Sequence, residues 1–277
     1  MDYAVGITAG TSLTPIGSML GAGVSLSPSN GLVRCITPGS TITLTGVEFG
    51  SASIYDDKNG CRWIVRNSHF GCPVNYANVI SDDVDVQNSE FDQGGCTGPS
   101  SFITGSNVTV KRNWFRRGYQ HVVESGGPGA IVIQDNLIDD MVPGGSATGQ
   151  HENFQQLSGT ARISSDVVSG NFAYQHTPGS GNGEGWQFYC NSGPCEVDNP
   201  ILTNNVTVTL PGTRMSYVVN GGDPSKSSYI VNGTNRNNYF DLRGAYGAHY
   251  PGTMTPAKGW TSSGNIDLNS GNTITPG

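Results

Sequence analysis

The octapeptide Val108-Thr-Val-Lys-Arg-Asn-Trp-Phe115 is rewritten along the chain. Upstream versions are Leu44-Thr-Gly-Val-Glu-Phe49, Val65-Arg-Asn-Ser-His-Phe70 and Val86-Gln-Asn-Ser-Glu-Phe91. Downstream versions are Ile133-Gln-Asp-Asn-Leu-Ile138, Val168-Ser-Gly-Asn-Phe-Ala173 and Leu202-Thr-Asn-Asn-Val-Thr207. Each opens on an apolar anchor, carries a polar pair that usually includes an Asn two or three places on, and mostly returns to an apolar residue at the fifth. Anchors at 44, 65, 86, 110, 133, 168 and 202 are separated by 21, 21, 24, 23, 35 and 34 residues. A period of roughly 20 to 30 residues is the mark of a solenoid.

The unit is too short and too rich in strand formers for a helical repeat. Val84-Asp-Val86, Val108-Thr-Val110 and Ile131-Val-Ile133 read as short strands, and no stretch sustains apolar residues at i, i+3 and i+4. A coil of about 22 residues matches one turn of a parallel β-helix, in which every strand pairs with its equivalent one coil along. Asn tolerates left-handed backbone and bonds its own neighbours, which suits a tight corner. Stacked at about 4.8 Å, such Asn side chains could form a hydrogen-bonded ladder. The anchors Val65, Val86, Val110, Ile133 and Val168 are therefore expected in one interior row.

Length and composition agree. A solenoid grows by adding coils, so 277 residues fit one domain. The expected division is an N-terminal cap over 1–32, coils over 33–245 and a C-terminal cap or tail over 246–277. The 40 Gly and 15 Pro suit a chain made of turns, and the net charge of −7 argues against nucleic acid. No apolar run approaches the length of a membrane span. The opening Met-Asp-Tyr-Ala-Val-Gly lacks the basic region and apolar core of a secretory signal. Either a signal has been removed, or the protein reaches the outside by another route, such as release of a virus.

The six cysteines point outward as well. Cys190-Asn-Ser-Gly-Pro-Cys195 reads as a disulfide-pinned loop, since no second Cys or His pair sits at zinc spacing. Cys72 and Cys96, and likewise Cys35 and Cys61, lie about one coil apart and would fall within bridging distance if their registers agree. Disulfides imply an oxidising compartment. No metal or cofactor is expected.

The intervals 133–168 and 168–202 exceed a standard coil by about a dozen residues. The surplus falls around Pro143-Gly-Gly-Ser-Ala-Thr-Gly149 and Thr177-Pro-Gly-Ser-Gly-Asn-Gly183. Long loops on a repetitive scaffold overhang one face and carry its binding function. A second ladder lies between the Asn corners: Asn78-Val-Ile80, Ser101-Phe-Ile103, His121-Val-Val-Glu124, Glu152-Asn-Phe-Gln155, Glu184-Gly-Trp-Gln187 and Ser216-Tyr-Val-Val219. Aligned on the aromatic residue, Glu152 stacks on Glu184 and Gln155 on Gln187, with His121 and Glu124 one coil earlier. Strand alternation would turn Glu152 and Phe154 to the same face, so an outward Glu152 requires a bulge. The candidate catalytic set is Glu152, Glu184, Asp139, Asp140 and His151. The candidate substrate-binding set is Trp186, Gln155, Gln187, His121, Glu124 and Tyr189. The blander reading of Asp139-Asp140 is an Asp capping backbone amides where a strand turns.

The Asn corners and Gly149-Gln-His-Glu-Asn-Phe-Gln-Gln156 resemble the right-handed parallel β-helix superfamily that includes polysaccharide lyases, polygalacturonase-like glycosidases and phage tailspike depolymerases. The resemblance covers about residues 40 to 210. The octapeptide is similar to the His-x-Asp-x-x-Gln rung of those proteins, but places Glu152 directly after His151. The galacturonase signatures Asn-Thr-Asp, Gly-His-Gly and Arg-Ile-Lys are absent, as is the calcium-and-Arg pattern of pectate lyases. The resemblance implies a right-handed parallel β-helix acting on a polysaccharide or cell-surface glycan, as a monomer or a homotrimer, secreted or on a virion surface.

Three classes of function remain. A glycosidase needs two carboxyl groups about 5 to 5.5 Å apart if retaining and 6.5 to 9.5 Å if inverting. Rungs one or two coils apart, at about 4.8 or 9.6 Å, can supply either. A lyase needs a base and a cation, for which Lys111, Arg112, Arg116, Arg117, His121, His151 and Tyr189 are candidates. A non-catalytic receptor-binding or structural virion protein needs only aromatic and amide groups. Carboxylates outnumber cations in the swollen coils, which favours hydrolysis over elimination. Asp139, Asp140, His151, Glu152, Glu184 and Trp186 are then expected to line one groove beneath 143–149 and 177–183.

Overall fold

A strand that buries alternate side chains must still pair the backbone groups of both its edges, and a repeating chain finds those partners one repeat before and after. The computed structural model describes residues 5–19, 23–27, 29–56, 59–94, 96, 101–141, 153–159, 162–177, 183–190, 193–213, 215–222 and 229–275. Its strands form three ladders of 10, 11 and 10 members, almost wholly parallel, with each strand beside its equivalents in the adjoining coils. The chain is a parallel β-helix.

The anchor sheet contains Thr41–Thr45, Arg62–Arg66, Asp83–Gln87, Asn107–Lys111, Gly129–Gln134, Arg162–Ser169 and Ile201–Thr203. Leu44, Val65, Val86, Val110, Ile133, Val168 and Leu202 stand in one unbroken register. All seven are 0% exposed, as the repeat requires of a single interior row. The two intervals near 35 residues do not disturb this row, because their extra residues leave the coil elsewhere.

After each anchor the chain turns. The second residue on is left-handed: Asn67, Asn88, Arg112, Asp135 and Asn204 have φ between 49° and 56°, and Gly46 and Gly170 have φ of 68° and 67°. The third residue on is buried and closes the corner. Asn136 Oδ1 accepts from the backbone N–H of Asn113 at 2.9 Å, and Asn136 Nδ2 donates to the Val110 carbonyl at 3.0 Å. Asn171, Asn205 and Asn238 repeat both bonds on the coil before each of them. Each amide side chain thus satisfies two backbone groups that the corner removes from the strand ladders. The lower coils use Ser68 and Ser89, whose hydroxyls accept one backbone N–H each.

The second sheet contains Val47–Gly50, His69–Phe70, Glu90–Asp92, Trp114–Gly118, Leu137–Met141, Phe172–Gln175, Val206–Thr209 and Tyr239–Asp241. Phe49, Phe70, Phe91 and Phe115 stack inside it with ring centroids 4.1, 4.5 and 4.9 Å apart. Ile138, Ala173 and Thr207 continue that column with less bulk than the Phe residues.

The third sheet contains Leu32–Cys35, Ser53–Asp56, Ala77–Ser81, Ser101–Thr104, His121–Ser125, Asn153–Leu157, Trp186–Cys190, Met215–Asn220 and Ala245–His249. At its N-terminal edge Val24–Leu26 pairs antiparallel with Leu32–Cys35. Coil strands also continue into the expected tail, where Trp260–Ser263 and Ile266–Asp267 extend two of the ladders. The disulfides are Cys35–Cys61 and Cys72–Cys96, each about one coil apart, and Cys190–Cys195, which closes a short loop.

Candidate functional site

The two long connections leave the second sheet after Leu137–Met141 and Phe172–Gln175, and enter the third sheet at Asn153–Leu157 and Trp186–Cys190. These strands pair with each other in both sheets, so both connections rise from one corner in successive coils. His151 and Glu152 lie outside the described residues.

On the third sheet the aromatic alignment is corrected by one residue. Gln155, not Phe154, pairs with Trp186. The backbone N–H groups of Phe154 and Gln155 both donate to the Gly185 carbonyl, at 2.8 and 3.2 Å, which makes a bulge. Phe154 and Gln155 are both buried, at 1% and 0% exposure, like Val122 and Val123 one coil below. Gln155 is therefore no ligand for a substrate; its Nε2 donates to the buried carboxyl of Asp166. Trp186 is also 0% exposed. The interior column narrows at Ala173 and Thr207, and the indole fills the space, 5.1 Å from the Phe154 ring with its Nε1 directed to Thr207 Oγ1. It cannot offer a face to a sugar from there.

The residues flanking the bulge build a polar band. Asn153 Nδ2 donates to Gln156 Oε1 at 2.9 Å and to Gln187 Oε1 at 2.8 Å, and Asn153 Oδ1 accepts from the Glu184 backbone N–H at 2.7 Å. Asn220 Nδ2 donates to Glu184 Oε1 at 2.9 Å. One coil below, His121 is in register with Asn153 and Glu124 with Gln156. Glu124 is half-buried, and burial pushes its carboxyl above the usual range against the opposing hydrogen bonds of Ser101 and Ser158. The band thus brings together His121, Glu124, Gln187 and Glu184 of the sequence-derived set and adds Asn153, Gln156 and Asn220; of these Glu124, Gln156 and Glu184 are half-buried and the others are buried. Half-buried Tyr189 follows Gln187, whose Nε2 donates to the Tyr189 carbonyl at 3.1 Å.

Glu124 and Glu184 are not close along this band. They are two coils apart and offset by about three residues along the strand, which separates their backbones by about 14 Å. That exceeds both carboxylate gaps used by glycosidases.

On the second-sheet side of the corner, the two aspartates divide their roles. Asp140 has φ of 65° and is 3% exposed. Its Oδ1 accepts from the backbone N–H groups of His176 and Thr177 at 3.1 and 3.0 Å, and Thr177 Oγ1 donates to its Oδ2. Asp140 is a cap for the chain leaving the sheet, and its engaged oxygens do not suit the catalytic role. Asp139 points outward in one column with Arg116 and Tyr174. It meets His176 Nε2 at 3.2 Å, and the His176 ring stands 4.8 Å from that of Tyr174. Sequence reading missed His176. Extending the register that pairs Asp139 with Tyr174 by two residues would have found it.

Compared with family models, curated proteins and solved structures, the chain matches none of them.

Proposed function

We propose that this chain binds a polysaccharide along the polar band of the third sheet and hydrolyses it beside the two long connections. The single observation that supports binding most strongly is the continuity of that band. Half-buried Gln156 and Glu184 present an amide and a carboxyl group on successive coils, held in place by the buried amides of Asn153, Gln187 and Asn220. At its far end the rings of Tyr217 and Tyr250 lie 5.1 Å apart and add an aromatic surface. For hydrolysis, Glu184 is the carboxylate of the band. The resemblance to polysaccharide-active β-helices supports the same reading, as do three disulfides that fit an oxidising location such as the exterior or a virion surface. Elimination is less well supported because the nearest cations are engaged. Arg116 contacts Glu90 at 3.0 Å, and Arg117 is bound by Asp92.

The test is incubation with neutral and uronic polysaccharides. Hydrolysis yields new reducing ends without the ultraviolet absorbance of an unsaturated uronate. Glu184→Gln should lower turnover by about 10²- to 10⁴-fold, the range for a lost acid–base group, with polysaccharide binding retained. Full activity in that variant excludes the assignment. A binding-only function is the second reading, favoured by the roughly 14 Å between Glu124 and Glu184. Polysaccharide retention without any cleavage would establish it.

A further inference from the structure

Beside the anchor row runs a second interior row that is apolar through five coils. Ile42, Trp63, Val84, Val108 and Ile131 stand in register, and none is more than 4% exposed. The next member is Asp166, paired with Ile131 and 0% exposed. A carboxylate placed there would be an uncompensated charge in an apolar column, which proteins avoid by pairing or by protonation. The hydrogen-bonding partner of Asp166 is Gln155, whose Nε2 donates to Asp166 Oδ2. The other oxygen of each group, Asp166 Oδ1 and Gln155 Oε1, is buried without a partner. Two bare acceptors cannot bond each other, whereas one acid proton between them satisfies both.

We propose that Asp166 is a protonated carboxylic acid that closes a reciprocal pair with Gln155, and that this pair is a pH-sensitive fastener beneath the polar band. Asp166 Oδ1–H donates to Gln155 Oε1, while Gln155 Nε2–H donates to Asp166 Oδ2. The pair joins the anchor sheet to the third sheet across the interior, inside the coil that carries the first long connection. It also fixes the bulge whose flanking residues, Asn153 and Gln156, belong to the band. Loss of the proton replaces one of the two bonds by a repulsion between acceptors and leaves a buried charge.

The electrostatic surroundings agree. Burial pushes the Asp166 carboxyl up to about 7, with the Gln155 hydrogen bond acting in the opposite direction. Titratable groups on the strands packed around it are His121, Glu124, Tyr189, Glu196 and Asp198, with Arg162 on its own strand. Arg162 is held by Asp198 at 2.6 Å and Glu196 at 3.2 Å. Among the described residues no ion pair reaches Asp166.

The folded-state value lies above that of an unfolded Asp, so the folded protein binds the extra proton between the two values. Stability from this group is fully present below about pH 4 and is lost as the pH rises through about 7. His249, buried and held down at about 4, works in the opposite sense by losing stability as the pH falls from 6.5. The effect of Asp166 must therefore be read as a difference between wild type and Asp166→Asn. In that variant the Asn amide can make both bonds of the pair without a titrating proton.

The experiment is a carbon NMR titration of the whole chain with labelled Asp carboxyls. One resonance should titrate with a midpoint near 7 and be missing in Asp166→Asn. Titration of every Asp in the wild type below about pH 5, near the ordinary range, would overturn the proposal whether or not the variant folds. Gln155→Leu removes both the donor to Asp166 Oδ2 and the acceptor for the acid proton, so the midpoint should move from its wild-type position; an unchanged midpoint would show that the two groups are not paired. The melting temperature of wild type relative to Asp166→Asn should fall as the pH rises from about 5 to about 7.5 and then level off. A difference independent of pH would sink the fastener.

Discussion

Single residues carry two kinds of work at the corners, and adjacent positions divide it. The second residue after the anchor needs left-handed backbone, which Asn67, Asn88 and Gly170 all supply. The third needs an acceptor and a donor on one short side chain, and here only Asn completes both bonds. Asn171→Leu would strip the Asn136 N–H and the Ile133 carbonyl of their partners. Each buried group left unmade costs on the order of 1–3 kcal/mol. Denaturant unfolding should report that loss, and a change under about 0.5 kcal/mol, the scale of an ordinary surface substitution, would contradict the ladder's role.

At the scale of elements, the third sheet departs from regular alternation in several coils, burying Phe102 with Ile103, Val122 with Val123, and Phe154 with Gln155. Phe154 and Gln155 are buried together, as Val122 and Val123 are one coil below, and Asn153 and Gln156 flank them in the polar band. The lower coils of the same sheet are tied by Cys72–Cys96, which closes a loop spanning 24 positions. Chain-entropy arguments assign such a crosslink about 3 kcal/mol. Replacing both cysteines by Ser should lower the melting temperature correspondingly while leaving the parallel ladders intact by circular dichroism. Unaltered thermal stability would show that coil stacking alone fixes this region.

The whole molecule is nearly one-dimensional. The coil strands pair only with those of adjoining coils, so stability is approximately a sum of coil and interface contributions, while residues 6–14 run alongside and bond Arg112, Asn67 and Gly46. Val110 stands in the interior of a middle coil with a paired coil on either side. Val110→Asp buries an unpaired charge there, a cost of several kcal/mol, and should divide the cooperative unit. Leu44 occupies the end of the same ladder and pairs on one side only. Leu44→Asp should fray that end and remove a smaller share of the calorimetric unfolding enthalpy. Equal losses from the two substitutions would contradict nearest-neighbour coupling.

The fold was legible because periodicity is a property of sequence. An interior row repeated every coil fixes register, and a Phe or an Asn at a constant offset must then stack on its equivalents. Two of the three cysteine pairs followed from the same period, and Cys190–Cys195 from its short local spacing. The site was legible only in part. Glu124, His121, Gln187 and Glu184 of the candidate set fall along one polar band, whereas Trp186 and Gln155 are buried in the interior. A bulge adds one residue to a local count, and nothing in the residue types of Asn153-Phe-Gln155 announces it. Asp166 lies two residues before the anchor Val168, so alternation alone turns it inward. Sequence thus determined that a carboxyl group would lie inside the solenoid. Only the tertiary structure decided what meets it there, because Gln155 reaches Asp166 across the interior from another sheet, at a distance that the repeat does not encode.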